Sequence, residues 1–156
     1  MKNICISLVV IICIIYISFK LYTSALRNAE YVGLATVPCQ DYTLQTKQNY
    51  SLNIRITINH KKYPLDNNIG HDFGKCLHDI YTNDTSGKVF VTSNNKNIHT
   101  LGQFFDVWHV TFTTKQIFGY QTDITHQLKV FVNGRDAENY RSIPLYSNIL
   151  IDIIYQ

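Results

Sequence analysis

The sequence predicts a mainly β protein, with an N-terminal transmembrane helix followed by a small antiparallel β domain carrying one short helix. Three observations predict it. Residues 4–22 form a nearly unbroken apolar run. From residue 39 onward the dominant hydrophobic period is two, the period of a half-buried strand. One stretch, Thr100 to Trp108, breaks that period and instead gathers Leu101, Phe104, Phe105 and Trp108 on one helical face. The 156 residues suffice for one ordinary domain plus a short appendage.

From Ile4 to Tyr22 the only clearly hydrophilic residues are Ser7, Ser18 and Lys20. Nineteen residues of helix rise about 28 Å, close to the roughly 30 Å hydrocarbon core of a bilayer. Lys20 lies near one end, where its ammonium can snorkel, and Tyr16 and Tyr22 suit the headgroup zone. A cleaved signal peptide is the competing reading, but its apolar core is usually about 7–15 residues, and Thr23-Ser24-Ala25 is only a fair cleavage site. Flanking charge does not choose an orientation, with Lys2 on one side and Lys20 and Arg27 on the other. Two N-glycosylation sequons, at Asn49 and Asn83, favour an exported C-terminal domain. So does the presence of just two cysteines beyond the anchor, Cys39 and Cys76, whose pairing is expected in an extracytoplasmic compartment. Residues 23–38 read as a stalk ending at Pro38, and residues 39–156 as the domain.

Within the domain, Leu52, Ile54, Ile56 and Ile58 alternate with polar residues in a first strand. Val89 and Val91 flank Phe90 in a second, and Val110 and Phe112 alternate with threonines in a third. The run Leu128–Val132 ends at Asn133-Gly134, a strong hairpin dipeptide, and Ile149–Tyr155 supplies a closing strand. Thr100 is the expected N-cap of the helix.

Composition excludes several function classes. The chain carries 11 Tyr and 8 Phe, which argues against a disordered polymer. Its 14 basic and 11 acidic residues leave a net charge of +3 without a dense basic run, which argues against a nucleic-acid partner. There is no nucleophile elbow, phosphate loop, zinc-protease helix or dinucleotide fingerprint, so no catalytic residue is nominated. The stretch His71 to Ser93 holds His71, Cys76 and His78 close enough in sequence to share a metal, with a polar loop as the plainer reading.

Several segments resemble a group of small prokaryotic proteins, often membrane-anchored and common in ammonia-oxidising archaea and some bacteria. The resemblance rests on Cys76-Leu77, on Tyr81-Thr82-Asn83-Asp84-Thr85-Ser86-Gly87, and on Thr100-Leu101-Gly102-Gln103-Phe104-Phe105-Asp106-Val107-Trp108. It extends from Cys39 to the terminal strand. The group's pattern reads roughly C-L-x-x-[LI]-H-T-H-D-x-S-G-x-I-H-x-E-S, then T-L-G-Q-F-F-D-x-W-G, with a His-x-His-x-His alternation at the start of the first strand. Period two would put those imidazoles on one sheet face as a transition-metal site.

This chain has Asn49, Ser51 and Asn53 at the strand positions, Tyr81 and Asn83 at the loop positions, and Phe90 at the later one. Those side chains do not replace the nitrogen ligation that copper or zinc prefers. The resemblance therefore implies a scaffold that kept its fold residues and lost the metal, with no cofactor. It also implies a structural Cys39–Cys76 disulfide, a free thiol pair or shared metal ligand being the alternatives. The expected function is that of a non-enzymatic, single-pass membrane protein working as an accessory subunit or interaction module. Its partners would be the bilayer and another protein. The alternative is an extracytoplasmic copper- or zinc-binding protein with a relocated site drawn from His60, His71, Cys76, His78 and His109.

Overall fold

The computed structural model describes residues 16, 37–40, 48–72, 76–93 and 98–156. The expected transmembrane helix and the stalk up to residue 36 lie outside them, apart from Tyr16, which is helical. Among the described residues no helix is long and apolar enough to cross a membrane. The second of two compact units runs from Thr36 to Gln156. Val37 is buried in its core, so the folded part begins earlier than the expected boundary at Cys39.

Twelve strands are present among the described residues: β1 (Cys39–Gln40), β2 (Gln48–Ile58), β3 (Lys61–Tyr63), β4 (His71–Asp72), β5 (Cys76–His78), β6 (Ile80–Tyr81), β7 (Lys88–Ser93), β8 (Gln116–Ile117), β9 (Tyr120–Gln121), β10 (Leu128–Val132), β11 (Arg135–Asp136) and β12 (Leu150–Tyr155). One helix, α1 (Leu101–Val107), and one 3-10 turn, Tyr140–Ser142, complete them.

The main sheet has seven strands in the order β11-β10-β12-β2-β7-β6, with β3 also paired to β2. β2 is its spine. Its first half pairs with β7, its second half with β3, and its other edge with β12. That last pairing is parallel, with Asn53 opposite Leu150 and Ile58 opposite Tyr155. The sheet is therefore mixed rather than purely antiparallel. Hairpins can deliver only antiparallel neighbours, whereas β12 returns to β2 after a long excursion through the rest of the domain.

The alternation in β2 behaves as period two requires: Leu52, Ile54, Ile56 and Ile58 are buried on one face, while Asn53 and Arg55 are exposed on the other. Val89 and Val91 of β7, Val130 of β10, and Ile151 and Ile153 of β12 join the same core. Asn133 and Gly134 both have positive φ between the paired residues Val132 and Arg135, giving the expected tight hairpin turn. Asn59 and His60 make a second such turn into β3, which the sequence reading did not foresee.

The expected third strand does not form. Phe112 is buried, but it makes only an isolated bridge to Ile117, and Val110 lies outside any strand.

Helix α1 covers the inner face of the sheet. Thr100 caps it, its hydroxyl accepting from the Gln103 amide while the Gln103 side chain accepts from the Thr100 amide. Phe104 and Phe105 are fully buried. Phe105 stacks on Phe112 with ring centroids 4.1 Å apart, and Trp108 and Phe118 meet edge to face. The smaller sheet, β1-β5-β4, is fixed to this body by Asp79, where the chain passes from β5 into β6.

Candidate functional site

Two regions gather the residues that the sequence singles out. The first is the outer face of the main sheet, opposite α1. Register puts Ser51 opposite Phe90, and Phe90 opposite Tyr81, in one row across β2, β7 and β6. Asn49 and Asn53 lie on the same face of β2. The positions that the resemblance equates with imidazole ligands thus share one surface, with Asn83 in the turn just after β6.

What that surface holds is aromatic. The Tyr81 and Phe90 rings stack, 5.4 Å apart and inclined by 18°. His71 sits edge-on to Tyr81, and the Lys88 ammonium lies 5.1 Å from the centre of the Phe90 ring. Partial burial raises the Tyr81 hydroxyl above its usual pKa, so it stays a neutral phenol. Both sequon asparagines, Asn49 and Asn83, are exposed.

The second region is a cleft of about 490 Å³ lined by His71, His78 and His109 together with Asp66, Asp72 and Trp108. The proposed relocated set is divided here. Cys76 is bonded to Cys39, with Cα atoms 5.5 Å apart, so its sulfur offers no thiolate. His60 sits exposed in the β2–β3 turn and does not line the cleft. Among the described residues no three His, Cys, Asp or Glu side chains form a group able to hold a metal ion.

His78 nevertheless has a defined ring. Its Nδ1 lies 3.1 Å from the Val37 carbonyl, which can only accept, so Nδ1 is the donor in that bond. His109 follows α1 with φ at 59°, a left-handed conformation in which a helix usually ends on Gly or Asn.

Comparison of the chain with protein-family models, curated proteins and solved structures finds no match. The roles of the motif residues therefore come from their own geometry.

In the Thr100–Trp108 segment nearly every side chain has a structural partner. Gly102 faces the Arg141 backbone so closely that an added Cβ would sit 2.8 Å from its carbonyl oxygen. Both carboxylate oxygens of Asp106 accept from Arg141 Nη2, at 2.8 and 2.7 Å, while Nη1 donates to the Phe112 carbonyl. The Trp108 indole donates to Asp66 at 2.7 Å. Arg141 lies 35 residues from Asp106, so the fold and not the local sequence brings this pair together.

The Tyr81–Gly87 segment is likewise occupied. The buried Thr82 hydroxyl accepts from the Ile69 amide and donates to the Asp66 carbonyl. The Ser86 hydroxyl and then the Ser86 amide, which donates to Asp84 at 2.8 Å, hold the Asp84 carboxyl below the usual range. Gly87, at φ 97°, leaves no room for a side chain, since a Cβ would stand 2.6 Å from the Ile54 carbonyl oxygen.

One polar centre escaped the sequence reading. Asp79 and His99 are 2% and 3% exposed, and the Nε2 of His99 lies 3.1 Å from the Asp79 carboxylate, whose other oxygen accepts from Gln40. Asp79 also donates its amide to the Pro38 carbonyl and accepts from the Thr92 amide. Neither residue belongs to a motif, and only their meeting in space marks them.

Proposed function

We propose that the chain is a non-enzymatic, membrane-tethered accessory or interaction module whose folded part works outside the cytoplasm. The observation that carries this reading is the outer sheet face, a solvent-accessible surface of stacked Tyr81 and Phe90 rimmed by Asn49, Ser51, Asn53 and Lys88. Aromatic side chains with polar neighbours are the usual currency of protein contacts. The Cys39–Cys76 disulfide supports an oxidising compartment, and the apolar run 4–22 supports a tether. The Asp and Thr side chains of the retained motifs serve the fold, which leaves presentation of a surface as the work.

The test is isolation of the tagged full chain from native membranes after mild cross-linking, followed by mass spectrometry. A stoichiometric companion, lost from a Tyr81→Ser, Phe90→Ser double variant, is expected. A chain that always purifies alone, or a companion indifferent to those changes, overturns the reading.

A second reading, an extracytoplasmic copper- or zinc-binding protein, is favoured by the cleft that gathers His71, His78 and His109, with the His78 ring oriented by its Nδ1 bond to the Val37 carbonyl. Stoichiometric metal in the purified chain, abolished by His71→Ala or His78→Ala, would replace the first reading with this one.

A further inference from the structure

Residues 122–127 form a loop with an unusual division of labour. The Asp123 carboxylate accepts from the Thr125 amide, the Thr125 hydroxyl and the His126 amide, at 2.7, 2.7 and 2.8 Å, and the His126 ring nitrogen lies 3.1 Å away. The Asp123 amide reaches the His126 carbonyl, and the Thr122 amide the Lys115 carbonyl. The His126 ring lies flat on Tyr155, inclined by 1° with centroids 5.6 Å apart. These bonds hold the Asp123 carboxyl far below the ordinary range, so it remains an anion. Between these anchors stands Ile124, with a relative exposure of 103%. A stiff loop thus holds a β-branched aliphatic side chain in open water, where it contributes nothing to the domain's core.

Beside the loop the outer sheet face is indented. A cleft of about 360 Å³ is lined by Thr125, Gln127, Lys129, Phe131, Ile154 and Gln156. Lys129 and Ile154 are cross-strand partners. A second depression, of about 410 Å³, continues from Phe131 and Ile154 towards Lys62 and the Arg55–Asp152 ion pair. An apolar knob with an anionic base therefore adjoins a cleft in which Phe131 and Ile154 lie between polar side chains and Lys129.

We infer that this corner is an interface between two copies of the chain, in which Asp123-Ile124 of each enters the Phe131–Ile154 cleft of the other about a two-fold axis. Self-complementarity is what a two-fold interface requires, because the same patch must serve as both partners. The patch carries opposite charges at its two ends, so that Asp123 of one copy meets Lys129 of the other. Rigidity of the loop lowers the entropic cost of burying its tip. The continuing depression extends the contact beyond a single side chain, as a stable interface needs. An anionic bilayer is a poorer occupant, since the carboxylate adjoining Ile124 would face like charge.

The experiment uses the full chain in nonionic detergent, mixed from ¹⁴N- and ¹⁵N-labelled preparations. Sedimentation is read over a concentration series, and carbodiimide cross-links are mapped by mass spectrometry. A dimer with Asp123–Lys129 links joining light and heavy copies is expected. Ile124→Asp should raise its dissociation constant about 30-fold, and Lys129→Glu about 10-fold, with unchanged circular dichroism. A monomer at every concentration overturns the inference, as does a dimer that survives both substitutions or shows only same-copy links. Capture of the monomer by phosphatidylglycerol vesicles through Ile124 would also overturn it, assigning the knob to lipid instead.

Discussion

The inner and outer faces of the seven-stranded sheet are built from the same strands, yet they obey different rules. On the inner face Leu52, Ile54, Ile56, Val89, Val91, Val130, Ile151 and Ile153 meet the rings of Phe104, Phe105 and Phe112 in a continuous apolar core. On the outer face the neighbours are Tyr81 with Phe90, Lys129 with Ile154, and Arg55 with Asp152, each a local pair touching water. Core packing couples residues from every segment, so a change there is felt throughout. Cross-strand pairs on an open face contribute little individually and leave side-chain identity free to serve something else. The inner face therefore accounts for stability, and the outer face for what the molecule presents.

This contrast can be broken from either side. Phe105→Ala removes a fully buried ring packed on Phe112, Trp108 and Phe118, and should cost about 3–5 kcal/mol in urea denaturation. Replacing both Cys39 and Cys76 by Ser opens a link spanning 37 residues and should cost about 3–4 kcal/mol by the same measurement. Asp106→Ala leaves Nη2 of the partly buried Arg141 without its carboxylate, with an expected loss of about 2 kcal/mol. On the outer face Arg55→Ala breaks an exposed pair with Asp152 and should cost under about 1 kcal/mol. An outer-face loss as large as that of Phe105 would erase the distinction.

The smallest effect is a dependence on acid. Asp84 and Asp123 have carboxyls depressed in the folded state by hydrogen bonds from Ser86 and from Thr125 and His126. A depressed folded pKa means the unfolded chain binds protons first as pH drops. The contribution of each is thus complete above the unfolded value of about 3.9 and lost as pH falls through the folded one. Urea midpoints measured from pH 6 to pH 2 should decline below about pH 4, and less steeply in an Asp123→Asn variant.

Much of the inner face was legible in the sequence because period and burial coincide there. β2, β7, β10 and β12 alternate cleanly, and Thr100 as N-cap with the apolar face of Leu101, Phe104, Phe105 and Trp108 announces α1. β3 was hidden because Lys61, Lys62 and Tyr63 are all exposed and carry no alternation, only a turn of two non-glycine residues. Phe112 misled because one buried ring among threonines imitates a strand while packing on a helix. The ligand-like positions were recognisable one at a time, but their common surface follows from the register of β2, β7 and β6. The Asp79–His99 pair and the Ile124 knob bear no motif at all, because each depends on which distant segments the fold brings near or leaves bare.

The parallel pairing of β12 with β2 also fixes an order of events during biosynthesis. Asn53 waits for Leu150, 97 positions later, and the spine of the sheet has one naked edge until that strand has been made. Contacts so remote close slowly, on a scale of roughly milliseconds to seconds. A nascent chain paused before residue 150 therefore exposes Ile54, Ile56 and Ile58 beside an unfilled slot. In that interval it is open to chaperones, proteases and mispairing with other newly made strands.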